Sequence, residues 1–363
     1  MPSPSAPCCA PIASRSCRST SSADARLARR SIYADGSSAV TLASAYRYPF
    51  PPYPTGWYVV AASSELPSRG VLPLRYFGRD LVLFRAESGR AVLVDAHCPH
   101  MGAHLGHGGF VEGEGIRCPF HQWRFGCDGR VEDVPYQTRG ALPVESLACW
   151  PVEEQSGVVL AHWSDGGRSP SWRMPAITEF GRPGWVGWQT FRWQIHMHTQ
   201  ELAENVPDMP HFRYVHRVPA PPEAEVKTSG HVYRQETIGR GADGGIVWRT
   251  QQTLFGLGLI VLRTPGPIPN VSLNAITPID EETVDLRVMY VVEEGGDATT
   301  LSPAASAMLE AVASTIGDDV PIWEHKVYRE KPSLVPGDGP IATLRKWARQ
   351  FYESGAEGAP DRD

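Results

Sequence analysis

Four residues in one short stretch have the types and spacing to hold a metal centre. Cys98-Pro99-His100 is followed, after seventeen residues, by Cys118-Pro119-Phe120-His121. Two thiolates and two neutral imidazoles form a four-donor set. A structural zinc ion accepts such a set, but its ligands usually come as a Cys-x-x-Cys half and a separate His pair. Here each half mixes one Cys with one His. That suits two short loops, each presenting one ligand to each iron of a [2Fe–2S] cluster. Imidazole is neutral where thiolate is anionic, so this mixture raises the reduction potential. Gly102, Gly106, Gly108 and Gly109 permit tight turns that bring amide N–H groups towards the sulfurs, and Pro99 and Pro119 stiffen the loops.

A second group lies further on, in ENVPDMPHFRYVH, with Asn205, Asp208, His211 and His216. Two histidines beside an acid are a weak signal alone. A mononuclear ferrous site takes two histidines and one carboxylate and leaves positions for O2 and substrate. A carboxylate from far along the chain is needed, and IGDDVPIWEH offers Asp318 and Asp319. His211 and His216 are five residues apart, about 140° on an ideal helix. On a straight helix the rings diverge, so Pro207 and Pro210 are expected to distort the backbone. His196 and His198 read as exposed polar positions, and His325 as part of a solvated helix face.

The elements that must position these groups follow from pattern. Strands are expected at 57–61, 72–76, 80–85 and 91–95, leading into the first Cys-His loop. Gly113-Glu114-Gly115 turns a hairpin whose second strand, 116–118, leads into the second. Val158–Trp163 closes this all-β part, and Ser164-Asp165-Gly166-Gly167 reads as a linker. The second half opens on an alternating aromatic strand, Trp185–Ile195, and then turns helical. A meander follows at 231–238, 246–254, 257–263, 271–278 and 284–292. Helical periodicity returns at 303–327 and 341–352. The expected fold class is α+β: an all-β domain over 46–165, then a helix-grip-like domain over 166–363, with a curved antiparallel sheet wrapped over a long helix.

The chain has 363 residues, 20% charged and 42% hydrophobic, with net charge -6. That carries no basic footprint for nucleic acid, and no apolar run reaches the roughly 18 residues of a membrane span. Residues 1–45 are rich in Ser, Ala, Pro and Arg, and the expectation is a disordered tail, though Arg and Ser also give it the look of a transit segment. Cys8, Cys9 and Cys17 within it are expected to be inert. Cys127 and Cys149 show no pairing pattern. Free thiols suit a reducing compartment, and the expectation is cytoplasmic.

The strings CPHMGAHL and CPFHQWRFGCDGR resemble the Rieske domain of Rieske non-haem iron oxygenases, and ENVPDMPHFRYVH resembles that family's mononuclear iron motif. Respiratory Rieske proteins carry a disulfide between the cluster loops. The corresponding positions here are Ala103 and Phe120, so the resemblance is to the oxygenase branch. It covers roughly residues 50–355. GWYVVAASSELP and KPSLVPGDGPIATLRKWARQFY further resemble the subgroup of 3-ketosteroid 9α-hydroxylases and cholesterol 7-desaturases. The resemblance implies cluster ligands Cys98, His100, Cys118 and His121, and ferrous-iron ligands His211, His216 and Asp319. It also implies that Asp208 links the two centres across a head-to-tail homotrimer, with Asn205 near the iron. Electrons come from an NAD(P)H-dependent reductase or ferredoxin. The reaction uses O2 to hydroxylate or desaturate a steroid or sterol, the alternative being an aromatic or terpenoid ring compound. A plain Rieske electron carrier would need only about one hundred residues and no second iron site.

Overall fold

The computed structural model describes residues 46–352 apart from position 242. The expected tail, with Cys8, Cys9 and Cys17, lies outside the described residues.

The first part contains eleven strands: β1 (Gly56–Ala62), β2 (Val71–Tyr76), β3 (Arg79–Arg85), β4 (Ala91–Asp95), β5 (Phe110–Glu112), β6 (Gly115–Arg117), β7 (Arg124–Phe125), β8 (Val131–Asp133), β9 (Cys149–Trp150), β10 (Val152–Gln155) and β11 (Val158–Trp163). They form three small sheets, ordered β1-β11-β10, β2-β3-β4-β9 and β5-β6-β7-β8. The β2–β3 hairpin turns on Phe77-Gly78, both left-handed, as a two-residue turn of this hand requires. Phe77 is no natural choice there. It is held because its ring is buried and its N–H donates to the Pro278 carbonyl at 2.9 Å.

The second part begins with β12 (Trp185–Ile195), α1 (Thr199–Ala203) and α2 (Pro210–Tyr214). The strands β13 (Glu223–Ser229), β14 (Val232–Arg240), β15 (Ile246–Phe255), β16 (Leu259–Thr264), β17 (Asn270–Pro278) and β18 (Val284–Glu293) follow, then α3 (Pro303–His325) and α4 (Ile341–Ala348). One antiparallel sheet, β12-β18-β17-β16-β15-β14-β13, carries the whole part. Its inner face, with Leu254, Ile260, Ile276, Leu286 and Val288, packs on α1, α3 and α4 through Leu202, Leu309, Trp323 and Trp347. Its outer face, with Leu259, Leu273 and Met289, shares a core with Trp57, Val59 and Leu160 of the first part. The supposed linker is a short 3-10 turn, Asp165–Gly167. Among the described residues, no helix is long and apolar enough to cross a membrane.

A buried ion cluster ties the two parts together. Asp285 is fully buried and accepts from Tyr76 Oη (2.6 Å), Arg192 Nε (2.6 Å) and Arg287 Nε (3.2 Å). Arg287 also donates to Glu65 at 2.6 Å. Removing one partner strands a buried charge. Asp285→Ala is therefore expected to cost about 3–5 kcal/mol, read as a lower denaturation midpoint.

His198 is buried, not exposed as the sequence pattern implied. It precedes α1, and its Nδ1 accepts the Gln200 N–H at 3.0 Å, as a helix cap does. Burial holds its pKa down at about 3. The unfolded chain takes up a proton near pH 6.5 and the folded one does not. Stability from this neutral ring is thus complete above about pH 6.5 and falls by up to about 1.4 kcal/mol per pH unit towards pH 3. His198→Asn, which can still cap, is expected to flatten the decline in unfolding free energy between pH 6.5 and 4.

Candidate active site: two histidine-containing centres

The two Cys-His loops have the same backbone. In the first, Cys98 N–H donates to Ala103 and Gly102 N–H to Cys98, both at 2.9 Å. In the second, Cys118 N–H donates to Trp123 at 2.9 Å and Gln122 N–H to Cys118 at 3.1 Å. The fourth residue after each cysteine is left-handed: Gly102 at φ 74° and Gln122 at φ 63°. The first loop uses glycine for that turn, and the second accepts strain on a glutamine.

Each loop buries its cysteine and brings its histidine to the other's. Cys98 and Cys118 are 2% and 1% exposed, and both are free thiols. The His100 and His121 rings lie 4.8 Å apart. Trp123 stacks on His100 at 4.5 Å and 7°, and its Nε1 donates to Tyr136 Oη at 2.7 Å. Burial pushes the Cys98 thiol up to about 11. Two buried thiols with nothing cationic to stabilise the thiolates suit a metal partner rather than a reactive nucleophile. The donor set therefore fits a [2Fe–2S] cluster. Cys127 and Cys149 are also free, with their thiols pushed up by burial.

The second centre is built by α2 and α3. Pro210 starts α2 at its first turn, where a missing N–H costs nothing. His211 follows it. The convergence of the two histidines does not come from the prolines. The helix stops at Tyr214, and His216 N–H reaches back to the His211 carbonyl, five residues away, at 3.4 Å. This widened turn, followed by left-handed Arg217 at φ 59°, swings His216 round to His211. The ring centroids are 5.2 Å apart.

The third group comes from the far end of the chain. Among the described residues, His211, His216 and Asp319 form the one group of three whose ligand atoms all lie within 4.8 Å of one another. Asp319 is buried, and its Oδ2 lies 3.2 Å from His216 Nε2. Burial raises its carboxyl, and His216 and His211 offset part of that rise. Asp318, the preceding residue of α3, is exposed. Pro321, two residues on, deprives the Gly317 carbonyl of its helical donor.

Supporting contacts orient the rings. The Asp208 carbonyl lies 2.5 Å from His211 Nδ1, leaving Nε2 to face the carboxylate side. Asn205 Nδ2 is 3.4 Å from that Nε2. The Asp208 carboxylate is 3.8 Å from His211 Nδ1 and two-fifths exposed. His216 Nδ1 is buried with no protein partner. Two imidazoles and one carboxylate converging on one point, with the carboxylate at a cavity wall, fit a ferrous ion with open positions.

That wall belongs to a cavity of about 110 Å³ lined by Asp319, Asn205, Phe212, Ile316 and Trp323 from the helical side. Gln252, Ile260, Leu262, Asn274, Leu286 and Val288 line it from the sheet. Ile316, Asp319 and Trp323 share one face of α3 by their spacing. The sequence reading missed Gln252 and Asn274. Their only signal is a polar residue on the strand face shared with Leu254 or Ile276. Elsewhere, His196 is exposed near Glu282 at 3.6 Å, and His325 is exposed as expected.

Comparison with known proteins agrees with this two-part architecture. Residues 56–151 match the Rieske [2Fe-2S] domain family, and residues 162–352 match the 3-ketosteroid 9alpha-hydroxylase C-terminal domain family. The chain belongs to the Rieske oxygenases, in the branch defined by that C-terminal domain, and is an oxidoreductase. It is 32% identical over 323 residues to a probable 3-ketosteroid-9-alpha-monooxygenase oxygenase component of Rhodococcus rhodochrous, covering 83% of this chain and 80% of that protein. It is 30% identical over 333 residues to a cholesterol 7-desaturase of Hemicentrotus pulcherrimus, covering 83% and 70%. Among solved structures, dicamba monooxygenase bound to dicamba superposes with a TM-score of 0.66 at 18% identity, over 82% of this chain and 96% of that one. That likeness speaks for the fold alone.

Proposed function

We propose that the protein is the oxygenase component of a two-centre monooxygenase or desaturase that oxidises a steroid or sterol. The observation that carries the oxygenase chemistry is the convergence of His211, His216 and Asp319, with Asp319 lining a largely apolar cavity. When bound, the cluster supplies single electrons and the ferrous iron supplies O2 activation. The chain's part is to hold and to exclude. Cys98, His100, Cys118 and His121 hold the cluster; His211, His216 and Asp319 hold the iron. The Asp208 carbonyl fixes the His211 tautomer, and Ile260, Leu286 and Val288 keep bulk water from the reacting end.

The steroid assignment rests on the relatives, whose names include both a 3-ketosteroid monooxygenase and a cholesterol desaturase. The cavity volume favours a second reading. About 110 Å³ is below the roughly 300–1,000 Å³ of sites for drug-sized ligands. A smaller aromatic or terpenoid ring compound needs less rearrangement of Phe212, Ile316 and Trp323.

The same reading includes an NAD(P)H-dependent reductase or ferredoxin as electron donor. It divides the chain into a Rieske domain over 46–165 and an iron domain over 166–363. It places the chain in a homotrimer where Asp208 meets a neighbour's cluster histidine. The partly exposed Asp208 carboxylate and the exposed apolar rim of Met101, Phe120 and Tyr136 around the cluster loops support that assembly. Cys127 and Cys149, the free cysteines outside the cluster set, support a reducing cytoplasm.

The test is turnover by the anaerobically reconstituted protein with a surrogate reductase, NADH, O2 and a panel of sterols and 3-ketosteroids. Gain of one oxygen makes it a hydroxylase; loss of two hydrogens makes it a desaturase. O2-dependent oxidation of an aromatic or terpenoid compound, with none of the steroid panel, overturns the steroid assignment.

A further inference from the structure

Most polar groups on the inner face of the sheet are accounted for. Gln235 Nε2 donates to the Val206 carbonyl at 2.7 Å and lies 3.2 Å from Gln252 Oε1. These bonds tie the helical segment to the sheet and hold Gln252 in place. Asn274 differs. It sits in the middle of β17, between Ile260 of β16 and Val288 of β18. Side chains alternate along a strand, so it faces inward with Ile276, while Leu273 and Ala275 face the outer core. Its Oδ1 is buried with no hydrogen-bond partner. The neighbouring inward residue, Ser272, is fully buried and its hydroxyl also lacks one.

A buried carbonyl oxygen with no donor costs free energy that Leu or Val at this position would avoid. Asn274 lines the same cavity as Asp319. The polar atom is therefore fitted to something that enters that cavity.

We infer that Asn274 is a specificity-determining residue that accepts a hydrogen bond from a hydroxyl substituent of the substrate on an otherwise apolar ring system. The substrate O–H would donate to the unpaired Oδ1, which a ketone, having no donor, would leave unsatisfied. Gln252, two strands away and thus about 10 Å across the sheet, gives a second polar point towards the opposite side of the floor. Between them lie the apolar side chains of Ile260 and Leu262. This pattern suits a steroid with polar ends, and the inference rests on the steroid reading above.

The test uses the full chain with both metal centres loaded. It compares kcat/KM for a hydroxylated steroid and its deoxy counterpart, which differ only by that hydroxyl group. Wild type is expected to prefer the oxygenated one. Asn274→Leu, close in shape, is expected to lose on the order of tenfold or more on that substrate, with little change on the deoxy one. Asn274→Ala adds no bulk and checks the result should Leu disturb packing; iron content and cluster absorbance report intact centres. Equal losses on both substrates, or retained discrimination in both variants, overturn the role of Asn274 while leaving the steroid reading standing. If wild type turns over no steroid at all, the steroid reading falls and this inference with it.

Discussion

Asp319→Ala is expected to leave two irons per chain in place of three and to lower turnover by on the order of 1,000-fold or more. Among the described residues Asp319 is the carboxylate that converges with both His211 and His216, and it comes from a helix more than one hundred residues away in sequence. Two imidazoles alone are a poor ferrous site, because the hard carboxylate supplies the anionic charge. The cluster is untouched by this change, so its visible absorbance stays. Asp318→Ala serves as the control. Asp318 is exposed, and its removal is expected to change iron content and rate little. Equal iron loss from both variants would mean that the helix, rather than the carboxylate, had been damaged.

The second large effect belongs to the cluster. His100→Cys is expected to retain a [2Fe–2S] cluster but to lower its reduction potential by roughly 100 mV or more, about half the smallest gap between two-histidine and all-thiolate clusters. A third thiolate adds negative charge that the oxidised state tolerates better. His100 also loses its stack with Trp123 at 4.5 Å. Redox titration of the visible spectrum reads the shift. Steady-state turnover is expected to fall sharply, while the mononuclear iron stays bound. An unchanged potential would remove His100 from the ligand set.

Much of this was legible before any coordinates. The cluster loops announce themselves because ligand types and spacing are local; nothing else in the chain must be known. Long alternating strands, such as Trp185–Ile195 and Val158–Trp163, read correctly for the same reason. What stayed hidden depends on distant partners. The short strands β9 and β10, and the polar edge strand β13, have too little pattern to register. His198 reads as exposed by type, and only packing against Tyr48 and Phe50 buries it. The histidine pair was legible, but not the reason it converges. The widened turn after Tyr214 leaves no signature that separates it from an ordinary helix end. Asn274 escaped notice because its meaning lies in what it fails to touch.

The most direct test of the account is a single turnover without any reductase. Protein carrying both centres is reduced chemically, freed of excess reductant, and mixed with O2 and a 3-ketosteroid. The account predicts up to about one oxidised steroid per chain, formed as the cluster reoxidises, and none from Asp319→Ala prepared in the same way. Oxidised steroid from the variant that keeps its cluster but lacks the mononuclear iron would contradict it.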